Sequence, residues 1–136
     1  MAVDAAFEAN RKPWMGDEKG FAAHVAFYPV CKPYLQQEDL RVTGAPMIIL
    51  YGTDDSYGEG TSVPAFKRLL HEKGDFEVAT VEYAGASHAF NHNAPPEDHW
   101  DPVAIGHRSR TAWNADAAND SLIQVASILG KALAAK

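Results

Sequence analysis

The chain has 136 residues, 46% of them hydrophobic, which suits a single domain with a buried core. Its formal net charge of -6 argues against nucleic acid and against an anionic membrane surface as partners. The single cysteine excludes an internal disulfide, no signal-peptide pattern or long apolar run is present, and we therefore expect a cytoplasmic protein.

The first part of the chain predicts one helix and one strand. Helix-forming residues occupy positions 2–12, and Pro13 is expected to end this helix. The almost continuously apolar segment Phe21–Tyr28 predicts the first strand. His24 lies within it, and we interpret it as a core histidine with one hydrogen bond. Residues 34–44 predict an irregular connection with at most a helical turn.

The middle of the chain predicts a βαβ unit. Residues 46–51 form an unbroken apolar run, typical of a parallel strand that is covered on both faces. The run ends in the turn sequence Gly52-Thr-Asp-Asp55, and residues 56–62 are expected to form a loop over a site. A helix is predicted from position 64 to 74 and a third strand from 76 to 83, so the flanking strands should be parallel.

The last part of the chain predicts a long irregular loop and a helix. Residues 91–111 are dense in Pro, Asn, Asp and His, and loops of this length are usually functional. The final helix is predicted over 116–135, with Asn114 or Asp116 as its cap. The apolar residues expected to face the sheet recur at helical spacing: Leu122, Val125, Ala126, Leu129 and Leu133. Together these elements predict an α/β fold, with a short, mostly parallel sheet of about three strands flanked by helices.

Two titratable residues follow neighbouring predicted strands. Asp55 comes after the second strand and His88 after the third. Because the carboxyl ends of parallel strands meet at one edge of a sheet, we expect the two side chains to approach each other. A carboxylate that accepts the imidazole N–H fixes its tautomer and stabilises the imidazolium. The pattern predicts the acid–base part of a nucleophilic site, and the alternative is a capped turn beside an unrelated loop histidine.

Three motifs in this order resemble the C-terminal half of the dienelactone hydrolase family, within the α/β-hydrolase fold: Phe27-Tyr-Pro-Val-Cys31, Gly52-Thr-Asp-Asp55 and Tyr83-Ala-Gly-Ala-Ser-His88-Ala-Phe90. The resemblance implies hydrolysis of a small ester or lactone. It makes Asp55, rather than Asp54, the triad acid and His88 the base. By the family order, residues 1–136 form a single domain that begins just after the nucleophile elbow. No cofactor is expected.

The sequence departs from the family at the nucleophile, because no Gly-x-Ser/Cys-x-Gly elbow is present. Three hypotheses follow. The chain supplies an incomplete relay, or it is self-sufficient with Cys31 as nucleophile, or it is a non-catalytic, oligomer-forming binding module. Cys31 is equally interpreted as a small core residue. We expect Ser56, Tyr57 and Phe90 at the rim of a substrate site.

Two further expectations concern assembly and metal. Without the family's upstream strands the segment Phe21–Tyr28 is an open apolar edge, which a symmetric homodimer would cover most simply. His88 and His92 have a spacing that binds zinc on a helix, with His99 and His107 further along. Because this Asn- and Pro-rich stretch does not favour a helix, we expect no metal site.

Overall fold

A three-stranded parallel sheet lies at the centre of the fold, with its strands in the order β1 (His24–Phe27), β2 (Met47–Gly52) and β3 (Val78–Tyr83). It is seen in a computed structural model that describes residues 2–16, 18, 20–74, 76 and 78–134. All six residues of β2 are buried, as expected for a strand paired on both edges and covered on both faces. The predicted α/β fold, with a short parallel sheet flanked by helices, is confirmed.

The remaining elements surround this sheet. The helices are α1 (Ala2–Ala5), α2 (Glu8–Met15), α3 (Glu59–Gly74) and α4 (Ala115–Ala134). Short 3₁₀ turns lie at Lys32–Gln36 and Ile105–His107, and an antiparallel hairpin pairs β4 (Glu97–Trp100) with β5 (Arg108–Thr111). None of the described helices is long and apolar enough to cross a membrane.

Two apolar layers hold the sheet. On one side, the aromatic rings of Phe7, Tyr34 and Phe66 pack together, with centroids 5.5–6.2 Å apart. On the other side, Leu50 of β2 lies in one cluster with Phe90 and with residues of α4. The helix α3 follows β2 and leads to the parallel neighbour β3, so the βαβ unit forms as predicted.

The predicted single helix over positions 2–12 is wrong. Phe7 has an extended backbone and forms an isolated antiparallel bridge with Val42, which separates α1 from α2. The amide of Glu8 donates to the carbonyl of Arg41 over 2.9 Å. Long-range backbone pairing therefore outweighs the local helix propensity of this stretch.

Two prolines lie inside helices that they were expected to bound. Pro13 is within α2, and the amide of Gly16 still donates to the carbonyl of Lys12 over 2.9 Å. Pro64 is within α3, which begins at Glu59 rather than at the proline. A proline removes only its own N–H from the helical ladder, so a helix can continue past it at a local cost.

Two other expectations need correction, and one is borne out. The segment 91–111 contains a hairpin rather than an irregular loop. The hairpin was not predicted because the strand β4 is polar and exposed and shows no apolar alternation in its sequence. The strand β1 is shorter than predicted, and Phe21 is exposed outside it. His24 is buried, with Nε2 3.3 Å from the hydroxyl of Thr43, as expected for a core histidine.

The helix α4 packs on the sheet through only part of its apolar stripe. Val125 packs against the same core cluster as Leu50, beside the buried small residues Ala117, Ala118 and Ser121. Leu122 and Leu133 are instead 68% and 62% exposed. The cap is confirmed at Asn114, whose Oδ1 accepts the amide of Ala117 over 3.0 Å.

Candidate active site

Asp55 and His88 meet at the carboxyl edge of the sheet. Asp55 lies in the turn after β2, and His88 lies in the turn after β3. The Nδ1 atom of His88 is 2.8 Å from Oδ2 of Asp55. The adjacent carboxylate, Asp54, is exposed and accepts a hydrogen bond from Oγ1 of Thr53 over 3.2 Å, so position in the turn distinguishes the two aspartates.

Several donors surround the carboxylate of Asp55, whose side chain is fully buried. Its Oδ1 accepts the backbone N–H of Tyr57 over 3.0 Å. Burial acts to raise the pKa of Asp55, but hydrogen bonds from His88, Glu59 and the Tyr57 amide outweigh it and lower the pKa below its ordinary value. The group is therefore an anion at neutral pH, as a partner of an imidazole N–H must be.

His88 is held between two tyrosine rings. The centroids of Tyr28 and Tyr57 lie 4.5 and 4.7 Å from the imidazole, both in edge-to-face orientation. The side chain of His88 remains 23% exposed. Tyr28 and Ala89, with φ angles of 36° and 56°, carry left-handed backbone next to the imidazole. Strained backbone of this kind clusters at functional sites.

Close backbone packing brings the two turns together. A Cβ atom at Gly52 would overlap the carbonyl oxygen of Ala86, so only glycine allows this approach. The amide of Asp54 donates to the same oxygen over 3.0 Å, and the amide of Gly85 donates to Oγ1 of Thr53 over 2.8 Å. The glycine of the sequence motif thus allows the turns that carry Asp55 and His88 to lie close together.

Cys31 does not join this pair. Its side chain is fully buried in the apolar layer of Phe7 and Phe66, and the structure shows no hydrogen bond between Cys31 and His88. Burial, with a smaller effect from Glu59, raises the pKa of the Cys31 thiol to about 12. A neutral buried thiol is a poor nucleophile, and the placement matches the interpretation of Cys31 as a core residue.

The three expected rim residues have different positions. Tyr57 flanks His88, and its hydroxyl donates to Oδ2 of Asp101 over 2.6 Å. Ser56 accepts the amide of Arg110 on its side-chain oxygen over 3.2 Å, so it fastens the hairpin to the turn. Phe90 is fully buried among aromatic rings and is not on a rim, because it points towards the core cluster rather than the cleft.

The family assignment agrees with this arrangement. The model of the dienelactone hydrolase family matches residues 14–133. The chain belongs to the dienelactone hydrolase family. Comparison with curated proteins and with solved structures finds no significant match. The expected resemblance to this hydrolase family is confirmed.

Sequence reasoning missed two residues of this candidate site. Tyr28 belongs to the motif Phe27-Tyr-Pro-Val-Cys31, which could have placed it at the carboxyl end of β1. Glu59 is fully buried beside Asp55, and it gave no signal because a glutamate in a glycine-containing segment is normally an exposed loop residue.

An apolar cleft of about 480 Å³ runs along β1 and reaches the imidazole. It is lined by residues of α1, by Val25, Ala26 and Phe27 of β1, by residues that follow this strand and by His88. Within the described part of the chain, no strand pairs with the outer edge of β1. The same part of the chain contains no group of three or more His, Cys, Asp or Glu side chains that could hold a metal ion.

Proposed function

We propose that Asp55 and His88 are the acid and base of a carboxylic ester or lactone hydrolase. The observation that carries this proposal is the 2.8 Å contact between a fully buried carboxylate and a partly exposed imidazole beside an apolar cleft. Membership of a hydrolase family supports it. The substrate is a small ester or lactone whose apolar part occupies the cleft.

The proposed chemistry proceeds through an acyl-enzyme. His88 takes the proton of a hydroxyl or thiol nucleophile on Nε2 as the nucleophile attacks the carbonyl carbon, and Asp55 stabilises the resulting imidazolium. The imidazolium then gives that proton to the departing alkoxide, which leaves as an alcohol or, in a lactone, as the freed hydroxyl end. Water, deprotonated by His88, hydrolyses the acyl-enzyme and restores the nucleophile.

We propose that the nucleophile lies at the end of a further strand, which would pair in parallel with the free edge of β1. A strand that pairs in parallel with β1 would end at the carboxyl edge of the sheet, where His88 lies. Among the described residues, no hydroxyl or thiol hydrogen-bonds Nε2 of His88. The sequence also contains no elbow motif. We therefore expect the 136-residue chain alone to form no acyl-enzyme.

The first test is hydrolysis of a small activated ester by the chain, alone and together with the elbow-containing half of a family member. We expect turnover only in the mixture. It should be lost in His88→Ala and Asp55→Asn but kept in His92→Ala and Asp54→Asn, which remove exposed residues of the same types. Equal turnover in the His88→Ala mixture would overturn the proposal. Turnover by the chain alone that disappears in Cys31→Ala would instead support a self-sufficient enzyme.

The open edge of β1 favours a second candidate, the oligomer-forming module. Val25, Ala26 and Phe27 on this edge line an apolar cleft, and a second copy of the chain could cover it. Light scattering at micromolar concentration tests this hypothesis. A monomer contradicts it. A dimer that Val25→Lys dissociates, while Val103→Lys in the exposed hairpin does not, supports it.

A further inference from the structure

Glu59 carries a fully buried carboxyl group whose two oxygens have no hydrogen-bond partner among the described residues. It is the first residue of α3, and none of its side-chain surface reaches solvent. The structure shows no hydrogen bond from another described residue to either carboxyl oxygen, and the backbone N–H of Glu59 itself interacts with the carboxyl group too weakly to offset burial. The hydroxyl of Ser62, one turn further along the same helix, is also unpaired and does not serve it. A charged carboxylate is strongly disfavoured in such surroundings.

The polar neighbour of Glu59 is another carboxyl group. Asp55 precedes Glu59 by four residues, and its carboxyl group and charge, together with burial, raise the pKa of Glu59. Two adjacent carboxyl groups in a buried site cannot both be ionised at neutral pH, so one of them keeps a proton. Among the described residues, Cys31 also lies close enough for Glu59 to act on the pKa of its thiol, which burial keeps neutral.

The donors around the pair decide which group keeps the proton. Asp55 accepts the Tyr57 amide on Oδ1 and faces Nδ1 of His88 with Oδ2. Both of these donors stabilise a negative charge on Asp55, whereas Glu59 has neither. The proton therefore resides on Glu59, where it satisfies an otherwise orphaned oxygen by donating to the aspartate.

We propose that Glu59 is a neutral carboxylic acid that donates a hydrogen bond to Asp55 and so holds the carboxylate in place for His88. Glu59 is a positioning residue, since it acts through Asp55 and does not reach the cleft. The relay then has three members, and Asp55 has three donors. This inference rests on the proposed function for its catalytic meaning only, because the protonation of Glu59 is measurable without substrate.

The direct test is the carbon-13 titration of the carboxyl groups in the unliganded chain. We expect Glu59 Cδ to have the chemical shift of a protonated acid at pH 7 and to titrate near the pKa of about 9 to which burial and Asp55 raise it. An ionised shift for Glu59 at pH 7 would overturn the proposal. Since this measurement uses the unmodified chain and no ester, its failure is separate from failure of the hydrolase proposal.

Two variants test the positioning role. Glu59→Gln keeps a neutral donor of similar size and should leave the titration of Asp55 unchanged. Glu59→Leu removes the donor and should shift the pKa of Asp55 upwards, with loss of the downfield Nδ1 proton of His88. Glu72→Gln, on the exposed side of α3, is the matched control and should change neither signal. A downward shift of the Asp55 pKa in Glu59→Gln would mean that a negative charge had been removed, and it would contradict the neutral state.

Discussion

Nδ1 of His88 lies 2.8 Å from Oδ2 of Asp55, although 33 residues separate the two along the chain. The carboxylate end of this pair is fully buried, whereas the imidazole keeps 23% of its side-chain surface exposed. Water can therefore compete for the outer side of the imidazole but not for the bond to Asp55. His88 also lines the cleft along β1, so the cleft reaches the imidazole of the pair.

The Asp55→Asn variant should lose this orientation. The amide cannot accept from both Tyr57 and His88 as the carboxylate does, and we expect the downfield Nδ1 proton of His88 to disappear from the NMR spectrum. Loss of a buried charge-assisted hydrogen bond should lower the free energy of unfolding by about 1–3 kcal/mol.

Asp54→Asn is the matched control for Asp55→Asn. Asp54 is exposed, and a surface change of this kind usually alters stability by less than about 0.5 kcal/mol. Urea titrations followed by circular dichroism give both values. Equal losses in the two variants would show that Asp55 has no special place in the site.

Gly52→Ala should separate the two turns that carry the acid and the base. The added methyl group would overlap the carbonyl oxygen of Ala86, and backbone cannot move aside as cheaply as a side chain. We expect a loss of stability of at least about 1–3 kcal/mol, together with weakening of the His88 Nδ1 signal. Gly74→Ala at the end of α3 is the control, because a Cβ atom there meets nothing within 4 Å. A fully stable Gly52→Ala with an intact Nδ1 signal would contradict this role of the glycine.

The contact between Asp55 and His88 was predictable from sequence because the motifs that carry the two residues are local. Gly52-Thr-Asp-Asp55 ends a strand whose apolar run is unmistakable, and His88 follows the next strand. The parallel arrangement then brings them to one edge without further information.

The unpredicted features depend on contacts that are distant in sequence. Phe7 leaves the helical conformation to pair with Val42, and no local pattern announces that bridge. Val125 of α4 packs against the core, whereas Leu122 and Leu133 of the same apolar stripe are exposed, so hydrophobicity alone did not separate the buried positions from the exposed ones. Glu59 is buried only because α3 starts earlier than its proline suggests, which places the carboxyl group behind Asp55.

Tyr57→Phe should loosen the hairpin of β4 and β5 while leaving the ring beside His88. The lost bond is the 2.6 Å contact of the Tyr57 hydroxyl with Asp101, which also lowers the pKa of that aspartate. We expect faster amide hydrogen exchange across residues 97–111. Tyr51→Phe is the control, since it removes a similar bond to Glu82 at the sheet. Unchanged exchange in the hairpin would show that Ser56 and the backbone contacts suffice to hold it.

Cys31 should be unreactive in the native protein. Its thiol is fully buried and its pKa is raised to about 12, so almost no thiolate exists at pH 8. We expect alkylation by iodoacetamide only after unfolding in urea, as measured by mass spectrometry. Labelling of the native chain as fast as that of the unfolded chain would show that the Cys31 thiol is accessible, and would again favour Cys31 as a nucleophile.

The stability of the chain should depend on pH through Asp55 and Glu59 in opposite directions. The lowered pKa of Asp55 gives stability that is present above the ordinary aspartate value and is lost as pH falls through the native one. The raised pKa of Glu59 gives stability that is present below the ordinary glutamate value and is lost as pH rises through the native one. Between its ordinary 4.5 and about 9, the native state holds a proton that the unfolded state has released.

The free energy of unfolding should therefore fall as pH rises across that range, by at most about 1.4 kcal/mol per pH unit. The glutamine in Glu59→Gln cannot ionise, and every other titrating group is common to the variant and the original chain. The difference between their free energies of unfolding, plotted against pH, therefore gives the slope due to Glu59. We expect the variant to become the more stable of the two at pH 8–9. Urea titrations at pH 5, 7 and 9 measure the slopes, with Glu72→Gln retaining that of the original chain. Parallel slopes for Glu59→Gln and the original chain would show that Glu59 does not carry the proton.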